Sequence, residues 1–139
     1  MTGKILEKDI ETLILTWLNY QPGCFAFKMN IKGIWDQRGF YRKSGKFVPV
    51  GGSDIVFLLS GLFGVFEVKT PAAHKKFVSS PGEHELRQIS FIQQVQAKGG
   101  FGAVVSSLEQ VQSHIKKLSI KISLLEATAA LPRTPLTLT

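Results

Sequence analysis

Asp54-Ile55-Val56-Phe57-Leu58-Leu59-Ser60-Gly61-Leu62-Phe63-Gly64-Val65-Phe66-Glu67-Val68-Lys69 is the stretch that decides the fold. Two apolar runs, 55–59 and 62–66, flank Ser60-Gly61, a pair suited to a tight hairpin turn. Folded back on itself, the hairpin sets the far ends of its strands side by side. Asp54, Glu67 and Lys69 then meet at one edge of an apolar sheet. Burying two carboxylates there is costly unless something neutralises them, and a divalent metal ion would do so.

On the N-terminal side, Leu6, Ile10, Leu13, Ile14, Trp17 and Leu18 recur at helical spacing, which predicts an amphipathic helix from about Ile5 to Asn19, ended by Pro22-Gly23. Phe25, Phe27, Met29 and Ile31 alternate with Ala26, Lys28 and Asn30, the pattern of a half-buried strand. Gly33 to Val50 reads as a loop or irregular hairpin, and Gly51-Gly52-Ser53 as a bend before Asp54. On the C-terminal side, Ala72 to Pro81 is polar and loop-like. Ser80-Pro81-Gly82-Glu83 reads as a helix start, with Ser80 as the cap, and the helix runs to about Lys98 before Gly99-Gly100. Phe101 to Val105 is a short buried strand. Ser106 and Glu109 make a capping box for a helix to about Leu118, and Ile120 to Ala130, whose pattern suits a strand, a helix or both, is read as helix. The expected fold class is α/β: an αβββαβ core, one mixed sheet with helices on its faces, followed by a further helix. Residues 1–131 form one domain and 132–139, with Pro132 and Pro135 at its start, a flexible tail.

A chain of 139 residues with 44% hydrophobic and 19% charged residues has enough apolar surface for a core and is unlike a disordered segment. No apolar run approaches the ~18 residues of a membrane span, the N-terminus lacks a signal-peptide pattern, and Cys24 stands alone. A cytoplasmic location is the expectation. The net charge of +7 favours a polyanionic partner. Lys28, Lys32, Arg38, Arg42, Lys43 and Lys46 crowd one stretch, interleaved with Trp35, Phe40, Tyr41 and Phe47, and Lys75 and Lys76 follow further on. Taken singly, each is an ordinary solvated base or a core-facing ring; as a cluster beside a metal they suit phosphate contacts and stacking on unpaired bases.

Mg²⁺ takes oxygen ligands and keeps several waters. Asp54 and Glu67 supply carboxylates, the Val68 carbonyl a third oxygen, and Lys69 shares a face with Glu67, where an ammonium can act on the attacking water. Gln88 borders the buried stripe of its helix, where an amide must find partners. Glu7 lies on the Ile10, Ile14 and Leu18 row and can reach the same place as an outer carboxylate, with Glu11 as its rival. The structural alternatives are a strand-start aspartate, a same-face Glu67–Lys69 ion pair, a capping glutamine and solvated helix-start acids. His74, His84 and His114 have no zinc-ligand spacing, and no Ser-His-Asp set, Walker loop or dinucleotide fingerprint is present.

Gly51-Gly52-Ser53-Asp54-Ile55-Val56, Gly64-Val65-Phe66-Glu67-Val68-Lys69-Thr70-Pro71, Leu86-Arg87-Gln88 with Phe91, Gly99-Gly100-Phe101 and Val104-Val105-Ser106-Ser107-Leu108-Glu109 occur in that order. Together with Glu7 on the first helix, they resemble the VRR-NUC family of the PD-(D/E)xK nuclease superfamily over roughly residues 5 to 118. Ser53 departs from the proline that family members often carry before the aspartate. The resemblance implies a restriction-endonuclease-like core and a DNA endonuclease dependent on Mg²⁺ or Mn²⁺. In it Asp54 and Glu67 are ligands, Lys69 positions or activates water, and Glu7 and Gln88 support the site. It further implies branched or flap DNA as substrate, as in Holliday-junction resolvases, and a homodimer of phage or bacterial type. The rival expectations are a nucleic-acid-binding module without catalysis and a protein-interaction subunit that borrows the fold. Ile120 to Leu131 is the candidate dimer interface because it is apolar and lies beyond the core.

Overall fold

The computed structural model describes residues 4, 6–29, 34–35, 37–42 and 51–129. In chain order the elements are α1 (Glu7–Tyr20), β1 (Cys24–Lys28), β2 (Ile34–Trp35), β3 (Tyr41–Arg42), β4 (Ile55–Leu59), β5 (Leu62–Val68), α2 (Pro71–Ser79), α3 (Glu83–Ala97), β6 (Phe101–Val105) and α4 (Leu108–Thr128). The fold is α/β, with a four-stranded mixed sheet in the order β1-β4-β5-β6. β1 with β4 and β4 with β5 pair antiparallel, and β6 joins β5 in parallel. The connection from β5 to β6 carries α2 and α3, as a parallel pair requires a long crossover. Among the described residues, no helix is long and apolar enough to cross a membrane.

In the β4–β5 hairpin β4 has the expected bounds, and β5 runs two residues past the expected apolar run, to Val68. Ser60 and Gly61 adopt φ of 49° and 88°, the left-handed pair that matches the twist of two flanking strands. Alternation along these strands feeds two cores. Ile55, Phe57, Leu59, Phe66 and Val68 meet Ile10, Ile14 and Leu18 of α1 and Val111, Ile115 and Leu118 of α4. Val56 and Val65 meet Phe91 and Ile92 of α3. The sheet is therefore covered by α1 and α4 on one face and by α3 on the other.

The element order departs from the expected αβββαβ pattern in two places. A separate two-stranded hairpin, β2–β3, adds strands between β1 and β4, within the stretch 33–50 read as a loop or irregular hairpin, and α2 occupies most of the segment 72–81 read as loop. Thr70 caps α2, its hydroxyl accepting the Ala73 N–H at 3.3 Å, and Pro71 takes the first helical position where a missing N–H is harmless. Ser80 consequently ends α2 and does not start α3, whose cap is Gly82 with no side-chain bond. The α4 cap lies one residue later than expected. Ser107 accepts the Gln110 N–H at 3.3 Å, and the Gln110 side chain reaches back to the Ser106 N–H at 2.8 Å. The helix then continues without a break through 120–128.

β1 is shorter than the alternating pattern and shows a different face. It ends at Lys28, Ala26 is its buried residue, and Phe25 and Phe27 are 60% and 44% exposed. The rings lie on the side covered by α3, but α3 packs over β5 and β6 and leaves the β1 edge open. On α1, Leu13 points outward, and its place in the buried row is taken by the charged Glu11. The stretch 30–33, residue 36, the stretch 43–50 and the C-terminal segment 130–139 lie outside the described residues, and with them the expected tail.

Candidate metal and phosphate site

The acids converge at the end of the hairpin away from its turn. Asp54 precedes β4 and is held by its backbone and its side chain: its carbonyl accepts the Met29 N–H at 2.8 Å, and its Oδ2 accepts the Val68 N–H at 2.8 Å. The bend before it is fixed against α3. Gly51 has φ of 78°, and a Cβ there would come within 2.8 Å of the Arg87 backbone, so only glycine fits. Glu67 occupies β5 on the side facing α3 and is only 1% exposed. Gln88 of α3, itself buried, donates from Nε2 to Glu67 Oε1 at 2.6 Å. Lys69 lies just beyond β5 with its Nζ 3.4 Å from the same oxygen and 5.7 Å from the centre of the Phe77 ring.

α1 brings a second pair of carboxylates. Glu7 and Glu11 stand four residues apart, one above the other on a helix face. Each has a carboxylate oxygen within 4.8 Å of the other's and of one from Asp54. Glu7 and Glu11 are thus both at the site. Lys28, at the end of β1, pairs with Glu11 at 3.0 Å, and its pKa is raised by that hydrogen bond and by the charges of Glu11, Asp54 and Glu7.

The site is electrostatically loaded. Burial pushes the Glu67 carboxyl from its ordinary 4.5 to about 8, the Asp54 carboxylate beside it adds to the rise through charge and hydrogen bonding, and Lys69 opposes it. Glu67 Oε2, Gln88 Oε1 and Ser53 Oγ are buried with no hydrogen-bond donor to them, and Glu67 and Asp54 can bond to each other only when one of them is protonated. Orphaned polar atoms of this kind are uncommon in folded proteins. Glu67 and its neighbour Asp54 present oxygen ligands only, and an unpaired, buried carboxylate oxygen is what a hard divalent cation would satisfy. The residues fit such an ion.

Asp54, Glu67, Lys69, Gln88 and Glu7 therefore come together. Val68 is buried beside them and contributes its N–H to Asp54. Of the bases, Lys28 joins the acids, Arg38 lies 5.9 Å from the centre of the exposed Phe40 ring, and Lys75 and Lys76 are exposed on α2. Lys32, Lys43 and Lys46 lie outside the described residues, as does the side chain of Arg42. Two features escaped the sequence reading. Phe77 contacts Lys69 because α2 exists, for which Thr70-Pro71 was the legible signal. His74 on the same helix pairs through Nδ1 with Ser106 Oγ at 3.0 Å, a contact between residues 32 apart that no local pattern announces.

No model of a known protein family matches the chain, and no curated protein matches it.

Proposed function

We propose that this protein is a metal-dependent endonuclease that hydrolyses phosphodiester bonds in DNA, with a restriction-endonuclease-like core of the VRR-NUC type. The observation that carries the reading is Glu67: a carboxylate 1% exposed, with one oxygen unpartnered, set beside Asp54 and 3.4 Å from a lysine. In its ionised form such a group costs stability unless a cation pairs with it, which points to a ligand.

Asp54 and Glu67 would hold Mg²⁺ or Mn²⁺, with Glu7 as a supporting carboxylate. When bound, the ion neutralises the acids, lowers the pKa of water and stabilises charge on the phosphate. The chain's own groups do the rest. Gln88 fixes the Glu67 carboxylate in one orientation through its 2.6 Å bond, and Val68 fixes Asp54 through its N–H. Lys69, held between Glu67 and the Phe77 ring, positions the attacking water and offsets phosphate charge. Arg38, Lys75 and Lys76 are exposed bases suited to backbone phosphates, whereas Lys28 is engaged by Glu11. Branched or flap DNA is the proposed substrate and a homodimer the proposed working form, both by family resemblance.

The test is cleavage of single-stranded, duplex, flap and four-way DNA with Mg²⁺, Mn²⁺ or chelator. Cutting is expected only with metal, and Asp54→Ala, Glu67→Ala or Lys69→Ala should reduce it at least ~100-fold. Undiminished cutting in chelator or by these variants overturns the reading. One rival, a binding module without chemistry, is favoured by the raised Glu67 pKa, since a protonated Glu67 can hydrogen-bond Asp54 with no ion present. That rival predicts no saturable Mg²⁺ binding lost in Asp54→Asn.

A further inference from the structure

The acidic cluster has two sides. On one, Asp54 lies beside Glu67, whose Oε2 is buried and unpartnered. On the other, Asp54 meets Glu7 and Glu11, with oxygens of all three within 4.8 Å of one another. Ligands of one Mg²⁺-type ion sit about 2.0–2.1 Å from it and so up to roughly 4 Å apart. The second group is close to that spacing and, on carboxylates alone, would invite an ion of its own. It already has a cation. The Lys28 ammonium lies 3.0 Å from Glu11 Oε2, and the Glu11 side chain is 8% exposed against 57% for Lys28. A buried carboxylate stripped of its counter-charge is strongly unfavourable, whereas the lysine comes in from solvent and can be removed without emptying the core.

We infer that Lys28 is the resident counter-ion of the Glu11 side, so that the site takes one divalent cation, on Asp54 and Glu67, and no second on Glu7, Glu11 and Asp54. The inference rests on the proposed metal-binding reading and specifies its stoichiometry. Glu11 is a positioning residue here: it fixes the ammonium at the mouth of the site and does not ligate the ion. A +1 charge held 3.0 Å from Glu11 Oε2, and felt by Asp54 and Glu7, repels a further +2 ion, and its N–H groups use the Glu11 lone pairs that ion would need.

The experiment counts bound Mn²⁺ on the full chain by isothermal titration calorimetry at fixed neutral pH, with free Mn²⁺ followed by electron paramagnetic resonance. Wild-type protein and Lys28→Arg are expected to bind one ion per chain. Lys28→Met is expected to bind two, and Lys28→Met with Glu11→Gln to return to one, since the second ion then lacks its ligand. Two ions on the wild type, or one on a folded Lys28→Met, overturns the inference while leaving the nuclease reading intact. The wild-type count decides even where Lys28→Met does not fold. No Mn²⁺ uptake at millimolar concentration, or uptake unchanged by Asp54→Asn, overturns the metal-binding reading and the stoichiometry with it.

Discussion

Glu67 carries the sharpest consequence of the site. Its carboxyl is displaced from 4.5 to about 8, chiefly by burial and then by Asp54, so the folded chain prefers it protonated while the unfolded chain releases the proton near its ordinary value. Stability from this group is fully present below about pH 4.5 and is lost as pH rises through about 8. Metal-free protein should thus lose on the order of a few kcal/mol between mildly acidic and mildly alkaline pH. Thermal melts across that range measure it. Glu67→Gln should flatten the slope, and millimolar Mg²⁺ should restore the melting temperature at the alkaline end. A slope unchanged by Glu67→Gln would assign the effect elsewhere. Gln88 is the companion case. Gln88→Leu removes the donor to Glu67 Oε1 and leaves that oxygen with Lys69 alone, so metal affinity should fall about 10–100-fold while the fold persists. Calorimetry with Mn²⁺ reads that change directly.

Helix starts show how a correct signal can be assigned to the wrong residue. Two candidate caps stand side by side at Ser106 and Ser107, and an acid or amide three residues on follows each, Glu109 and Gln110. The structure uses Ser107 with Gln110, and Ser106 turns inward to His74. Ser107→Ala should therefore cost about 1 kcal/mol in denaturant melts, whereas Glu109→Gln should cost less than ~0.5 kcal/mol. The reverse order would restore Ser106 as the cap. The hairpin offers a second case. Phe57 and Phe66 stack with centroids 5.0 Å apart, and a Cβ on Gly64 would run into the Phe57 ring. Gly64→Ala should destabilise by roughly 1–3 kcal/mol, because the fully buried Phe57 ring must shift to admit the methyl group. A neutral substitution would mean that this core is loosely packed.

Taken whole, the molecule is a sheet with one end given to charge and the other to apolar surface. Phe25, Leu58 and Phe63 sit opposite one another across β1, β4 and β5 near the hairpin turn and remain 60%, 42% and 41% exposed. On α4, Ile120, Leu124 and Leu125 are 53%, 62% and 57% exposed beyond the last buried residue, Leu118, while Ile122 between them still packs against the core. The proposed homodimer would use this second surface, as the apolar run 120–131 led us to expect. Light scattering at micromolar concentration should give a mass of two chains, and Leu124→Lys with Leu125→Lys should halve it. A single-chain mass for the wild type would remove the dimer.

Much of this architecture is written in local pattern. The hairpin, its turn, the helical row Ile10-Ile14-Leu18 and the strand 101–105 follow from periodicity and from residues that tolerate few conformations, and these alone require Asp54, Glu67 and Lys69 to meet. Other contacts join residues distant in the chain and had to wait for packing. The 32-residue separation of His74 from Ser106, the pairing of Lys28 with Glu11, and the choice of Ala26 over Phe25 and Phe27 as the buried face of β1 depend on where α1 and α3 come to rest. Period and turn chemistry fix which side chains share a strand or helix face, since they are short-range steric properties. Which face is covered, and which charge finds its partner, is settled by the neighbouring layer, and no window of sequence contains that layer.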